Sequence, residues 1–171
     1  QVIHVPYKGA APALLDVIYA ELAARSARGK VIKLPSYDHA RLLMPGPVLD
    51  AIARTPLWEH GLDYGHGTGH GVGYFLNVHE GPQSISKNVP DAHMAMEPGM
   101  ITSIEPGLYR PGRWGIRIEN LVLNVPAAST APNGVTEFGE FLDFETLTLC
   151  PIDTRCIERT LLRQDEIDWL N

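Results

Sequence analysis

From Ala10 to about Arg28 the run AAPALLDVIYAELAARSAR sets Leu14, Leu15, Ile18 and Leu22 at three- and four-residue spacings, which predicts an amphipathic helix. Gly29 ends it, and the short apolar piece VIKLP leads into SYDHARLLMPGP, where proline and glycine break regularity and mark a junction. Pro47 suits the first turn of a second helix, PVLDAIAR, with Leu49, Ile52 and Ala53 on one side and Pro56 limiting its extent. From Gly61 the pattern changes to short strands punctuated by glycine. Met100–Glu105 lies between two Glu-Pro-Gly turns, and Ile116–Val125 is a second run rich in Ile, Leu and Val, so the two are expected to pair. The intervening PGLYRPGRWG reads as a loop beside a site. A polar, Pro- and Gly-containing loop over residues 126–140 precedes a further strand-like stretch, FLDFETLTLCPI, and LLRQDEIDWLN closes the chain as a short helix.

Composition narrows the class. With 171 residues, 44% of them hydrophobic and 20% charged, the chain has the balance of one globular domain, and its apolar runs are shorter than the roughly 18–20 residues of a membrane span. Acidic residues exceed basic ones 20 to 14, and no long basic run gathers, which argues against a nucleic-acid partner. Cys150 and Cys156 lie without nearby histidines, so neither a disulfide scaffold nor a cysteine zinc site is expected, and a reducing cytoplasm fits. No signal peptide is read in residues 1–9, and a chain opening on Gln1 rather than Met suggests a fragment.

The chemistry concentrates in Gly65-His66-Gly67-Thr68-Gly69-His70-Gly71-Val72-Gly73 and in Asn77-Val78-His79-Glu80-Gly81-Pro82. Glycines beside a histidine remove Cβ bulk, so the backbone can approach a ligand or an adjacent strand. Phosphate-cradling and serine-hydrolase glycine patterns fail on spacing, and His79-Glu80 lacks the second histidine of the helical zinc-protease motif. Glu105 closes one expected strand and Glu119 sits within the other; alternation puts Arg117 on the same face as Glu119, where a cation favours the ionised carboxylate. One imidazole with oxygen ligands suits Mn, Co, Zn or Fe(II). Each residue also has a plainer reading. A Gly-flanked histidine is commonly a loop residue, and a Glu beside an Arg is commonly a structural ion pair. His4, His39, His60 and His93 are assigned to surface or packing roles, and Trp58, Trp114 and Trp169 to core or loop packing, although Trp114 and Tyr109 could line a pocket.

Taken together, LWEHGLDYGHGTGHGVGYFLNVHEGP, MEPGMITSIEPGLY and GIRIENLVL resemble the catalytic domain of aminopeptidase P, the Xaa-Pro aminopeptidase of the pita-bread metallopeptidases. The likeness runs from Pro45 to Asn171, its tail resembling the C-terminal extension of the long aminopeptidase P branch. It implies an α+β pita-bread (creatinase/aminopeptidase-like) fold, N-terminally incomplete, in residues 45–171. It further implies that His70, Glu105 and Glu119 ligate metal in a dinuclear site, with Glu119 bridging. Glu105 would also serve as acid/base, His66 and His79 would bind substrate and shuttle protons, and Arg117 would order the site. The implied metal is Mn, with Zn or Co as substitutes. The implied substrate is a peptide with proline second, and the extension implies a homodimer.

The same family needs an Asp-x10-Asp ligand pair before the histidine cluster. Asp16, Asp38, Asp50 and Asp63 are separated by 22, 12 and 13, so no such pair occurs in this chain. One ion or none, and impaired cleavage, are therefore expected, with a non-catalytic peptide-binding or interaction module as the alternative. Residues 1–44 do not read as this family; HVPYKGAAPAL resembles a segment of periplasmic tricarboxylate-type solute-binding receptors.

Overall fold

The computed structural model describes residues 46–88, 96–128, 132–137, 139–153, 155, 157, 159–162 and 164–170. The helix expected over residues 10–28 lies outside them, as do His4, His39, His93 and Cys156.

Helix α1, Gly46–Trp58, turns Leu49, Asp50, Ala53, Arg54 and Leu57 inward. Pro56 does not stop it, because a proline in the final turn forfeits only one helical N–H. The helix ends two residues later at Trp58, and its cap closes at Gly61. Leu62 N–H donates to the Leu57 carbonyl (2.9 Å) and Gly61 N–H to that of Trp58 (3.0 Å), with Gly61 at φ 67°. This paired closure uses a left-handed residue and an apolar contact across the cap, here Leu62 packed on Leu57 and Tyr64.

Beyond the helix come β1 (Gly69–His70), β2 (Ser84–Ile85), β3 (Ile101–Ile104), β4 (Gly107–Arg110), β5 (Trp114–Arg117), β6 (Asn120–Pro126), β7 (Val135–Thr136), β8 (Gly139–Glu140) and β9 (Leu142–Thr146). A short helix, α2, spans Gln164–Leu170 as expected. The antiparallel ladder β3-β6-β9 is the centre. β1 pairs with β2 and runs beside β3 through the Gly71–Thr102 bridge and hydrogen bonds from Glu105 N to Thr68 O (2.7 Å) and from Val72 N to Ile101 O (3.0 Å). The main core lies between α1 and the ladder: Leu49, Ala53, Ile85, Met96, Ile104, Val122 and Leu142. Full burial of each leucine there contributes about 1.5–3 kcal/mol. Trp114 packs with Leu108 and Ile118 in a second cluster, whereas Trp58 is 46% exposed and is not a core residue.

Two expectations about strands are corrected. Ile116–Val125 is not one strand, and PGLYRPGRWG is not a loop. The chain makes a long hairpin kinked at its middle: β4 pairs with β5 above the kink, and β3 with β6 below it. Pro106 has no N–H to offer a ladder, and the bend forms around it. Register is kept through the bend. Ile104 faces Asn120 and Gly107 faces Arg117, so Glu105 stands opposite Glu119. Among the described residues, no helix is long and apolar enough to cross a membrane.

Candidate functional site

The kink gathers the carboxylates and β1 supplies the imidazole. Glu105 is 8% exposed; it accepts a hydrogen bond from the Ser103 hydroxyl (3.0 Å) and lies against Arg117 (Nη1–Oε2, 3.2 Å). Arg117 Nε also approaches Glu119 Oε2 (3.6 Å). The sequence expectation that Arg117 accompanies Glu119 is met, but across the break between β5 and β6 rather than within a strand.

His70 Nε2 is 3.0 Å from Glu105 Oε1, and the His79 ring centroid is 4.2 Å from that of His70. His70 Nδ1 lies 2.9 Å from the Gly71 carbonyl, which can only accept, so Nδ1 carries the proton. In the neutral ring, Nε2 then presents a lone pair to a carboxylate oxygen. Two acceptors at this distance require a cation between them, either a proton or a metal. Two ligands each about 2.0–2.2 Å from one ion are themselves about 3 Å apart, so the pair fits a divalent metal.

Glu119 completes this set only through Arg117. Among the described residues, no three His, Cys, Asp or Glu side chains converge closely enough to hold an ion by themselves.

His66 lies at the other end of a continuous chain of contacts. Its Nδ1–H donates to the Gly67 carbonyl (2.8 Å), leaving Nε2 to accept from the Tyr109 hydroxyl (2.8 Å). Tyr109 thus lines the site from β4. Burial raises its pKa, and the Arg117 charge and hydrogen bond oppose that shift. All six sequence-derived residues, His66, His70, His79, Glu105, Arg117 and Glu119, are therefore in one neighbourhood.

Close approach makes this possible. A Cβ at Gly69 would stand 1.9 Å from the Ser103 carbonyl oxygen, and one at Gly71 would stand 2.1 Å from that of Glu80. The role expected for the glycines beside His70 is observed.

Sequence reasoning missed the buried polar network beneath. Arg54 donates to Asp50 (2.7 Å), Asp63 (2.5 Å) and the carbonyls of Tyr64 (2.8 Å) and His66 (2.6 Å). Thr68 Oγ1 donates to Asp50 (2.6 Å), and Tyr64 and Thr68 share a hydroxyl contact. Burial pushes the Tyr64 phenol up to about 12. Asp63 is shifted the other way: burial would raise its pKa, but hydrogen bonds from Lys87, Arg54 and the Tyr64 backbone bring it to about 2, below the reference 3.8. A depressed carboxylate contributes stability that is complete above its unfolded pKa and is lost as pH falls through the folded one. The urea midpoint of the wild type should therefore exceed that of Asp63→Asn at neutral pH, the gap closing between about pH 4 and 2. An unchanging gap would remove Asp63 ionisation as its cause.

A family model for metallopeptidase family M24 matches residues 37–125, and the C-terminal region of peptidase M24 matches residues 140–171. The chain belongs to metallopeptidase family M24, and its fold is the α+β pita-bread fold of that family. Over 126 residues it is 48% identical to a protein named probable Xaa-Pro aminopeptidase P from Coprinopsis cinerea, covering 74% of this chain and 20% of that protein. It is 54% identical over 129 residues to aminopeptidase P2 of Arabidopsis thaliana, covering 74% and 17% respectively. Among solved structures it resembles the X-prolyl aminopeptidase of Caenorhabditis elegans, described as a cytosolic enzyme with a di-nuclear active site. That likeness has a TM-score of 0.74 at 35% identity and covers 97% of this chain and 24% of that one. The chain spans about a fifth of the length of the curated relatives it matches.

Proposed function

We propose that this chain carries the C-terminal share of a metal-dependent Xaa-Pro aminopeptidase site, releasing an N-terminal residue that precedes proline. The observation that carries this reading is His70 Nε2 standing 3.0 Å from Glu105 Oε1 while Nδ1 lies against the Gly71 carbonyl. His70 and Glu105 would hold a divalent ion, with Glu119 reaching it once Arg117 gives way; an oxygen-rich set suits Mn, with Zn or Co as substitutes. The ion supplies Lewis acidity and an activated water.

The chain's own residues bind and move protons. His66, oriented by Tyr109, holds the peptide near its scissile bond, and exposed His79 exchanges the proton of the departing amine with solvent. Glu105 adds acid/base capacity, while Arg117 balances the two carboxylates. Proline at the second position offers no N–H and fixes its own φ, so one chain direction suits the cleft. A cytoplasmic location is supported by the cytosolic C. elegans relative. A homodimer is part of the same reading.

Because the chain holds no Asp-x10-Asp pair before His66, it should retain at most one equivalent of Mn or Zn after dialysis. With added Mn it should cleave an Arg-Pro-Pro peptide very slowly or not at all. Two tightly held ions, or robust turnover, would show that other groups replace those aspartates. The second reading, a peptide-binding module without catalysis, is favoured by Arg117 lying against both carboxylates. In that case the peptide binds equally well with and without Mn and stays intact.

A further inference from the structure

We infer that Arg54, backed by Asp50, is the positioning residue for His66, acting through main-chain carbonyls without touching substrate. The inference rests on the proposed role of His66. Arg54 is 1% exposed, as is Asp50, in the middle of the apolar face of α1. Packing alone does not call for a charge there. Taking an ion pair out of water costs several kcal/mol per ion, and apolar residues of similar volume usually fill such a space at least as well. The guanidinium instead offers five donors in a fixed planar fork, which suits it to hold several acceptors in one geometry.

Three of those acceptors lie on a single short segment: Asp63 Oδ1, the Tyr64 carbonyl and the His66 carbonyl. The Tyr64 ring closes over the guanidinium at 3.9 Å. Asp50 takes the far end of the segment by accepting from the Thr68 hydroxyl, and the Thr68 carbonyl in turn accepts from Glu105 N–H at 2.7 Å. From residue 63 to residue 68 the segment is thus gripped from α1, by side chains at both ends and by the Tyr64 and His66 carbonyls between them. Beside that fixed carbonyl, the His66 ring sets Nδ1 against the Gly67 carbonyl and Nε2 against the Tyr109 hydroxyl. Glu105 inherits its main-chain anchor from the same segment.

The test reads the imidazole directly. Nitrogen chemical shifts of 15N-labelled His66 at alkaline pH report which ring nitrogen bears the proton. The wild type should show a single Nδ1–H form. Arg54→Lys keeps the charge but cannot span all four acceptors, so the ring signals should move to the averaged values of a mobile imidazole while those of His60 stay put. A folded Arg54→Lys protein, judged by circular dichroism, with wild-type His66 signals overturns the inference; a merely structural role would lower the melting temperature and leave them unmoved. Should Arg54→Lys not fold, the charge-neutral pair Asp50→Asn with Arg54→Gln is read the same way, and a retained Nδ1–H form there overturns it too. The readout uses neither metal nor peptide. Peptide binding that is equal with and without Mn, together with a normal His66 response, therefore counts against the aminopeptidase reading alone.

Discussion

Arg54→Met is expected to cost about 3–5 kcal/mol of stability, because it breaks a buried ion pair by removing one partner only. Methionine fills much of the volume but leaves the Asp50 carboxylate in the core with, among the described residues, only the Thr68 hydroxyl to accept from. It also strips the Tyr64 and His66 carbonyls of their donor. In a domain of this size the melting temperature should fall by roughly 6–20 °C. Asp63→Asn is the matched comparison. Asp63 is 39% exposed, so its bonds to Arg54 and Lys87 are partly screened and their loss should cost below about 1 kcal/mol. Urea unfolding of both variants checks the ranking; equal losses would mean that Arg54 contributes no more than a surface ion pair.

The contrast between these two aspartates also marks where the sequence stops being legible. Asp50 and Arg54 stand four apart among Leu49, Ala53 and Leu57, and that spacing on an apolar face was a readable sign of a buried pair. Their further partners were not readable. They lie nine to eighteen residues away, past a helix cap whose turn brings the segment back over α1. The hairpin of β4 and β5 was hidden for a different reason. Its strands, GLYR and WGIR, are four residues each, with glycines at 107 and 115 where alternation would be sought. Ile116–Val125 read as one strand because its apolar composition continues through the kink, while the change of partner at Pro106 is a property of the opposite strand. The candidate site survived these errors because register is conserved through the bend. Glu105 and Glu119 meet whether or not the strand is continuous, and His70 is placed by its flanking glycines, a purely local signal.

That local signal yields the sharpest test of the site's architecture. Gly69→Ala is expected to part β1 from β3, since the new methyl group would stand 1.9 Å from the Ser103 carbonyl oxygen and 3.0 Å from its carbon, both backbone atoms. No rotamer relieves such a contact; one strand must move. Overpacking of this kind typically costs about 1–3 kcal/mol. The displacement falls where it matters for chemistry. His70 N–H donates to the Ser103 hydroxyl (3.0 Å), which donates to Glu105 Oε1 (3.0 Å), so a strand shift breaks the link that sets the imidazole against the carboxylate. Loss of such supporting contacts lowers metal affinity about 10–100-fold, and Mn retention by Gly69→Ala should fall within that range. Gly65→Ala provides the control: nothing lies within 4 Å of a Cβ there, so stability should change by less than about 0.5 kcal/mol and metal retention should be unchanged. If both alanines behave alike, the glycines beside His70 serve chain flexibility rather than strand approach. If Gly69→Ala destabilises the fold yet holds Mn as the wild type does, the ion is not bound by His70 and Glu105.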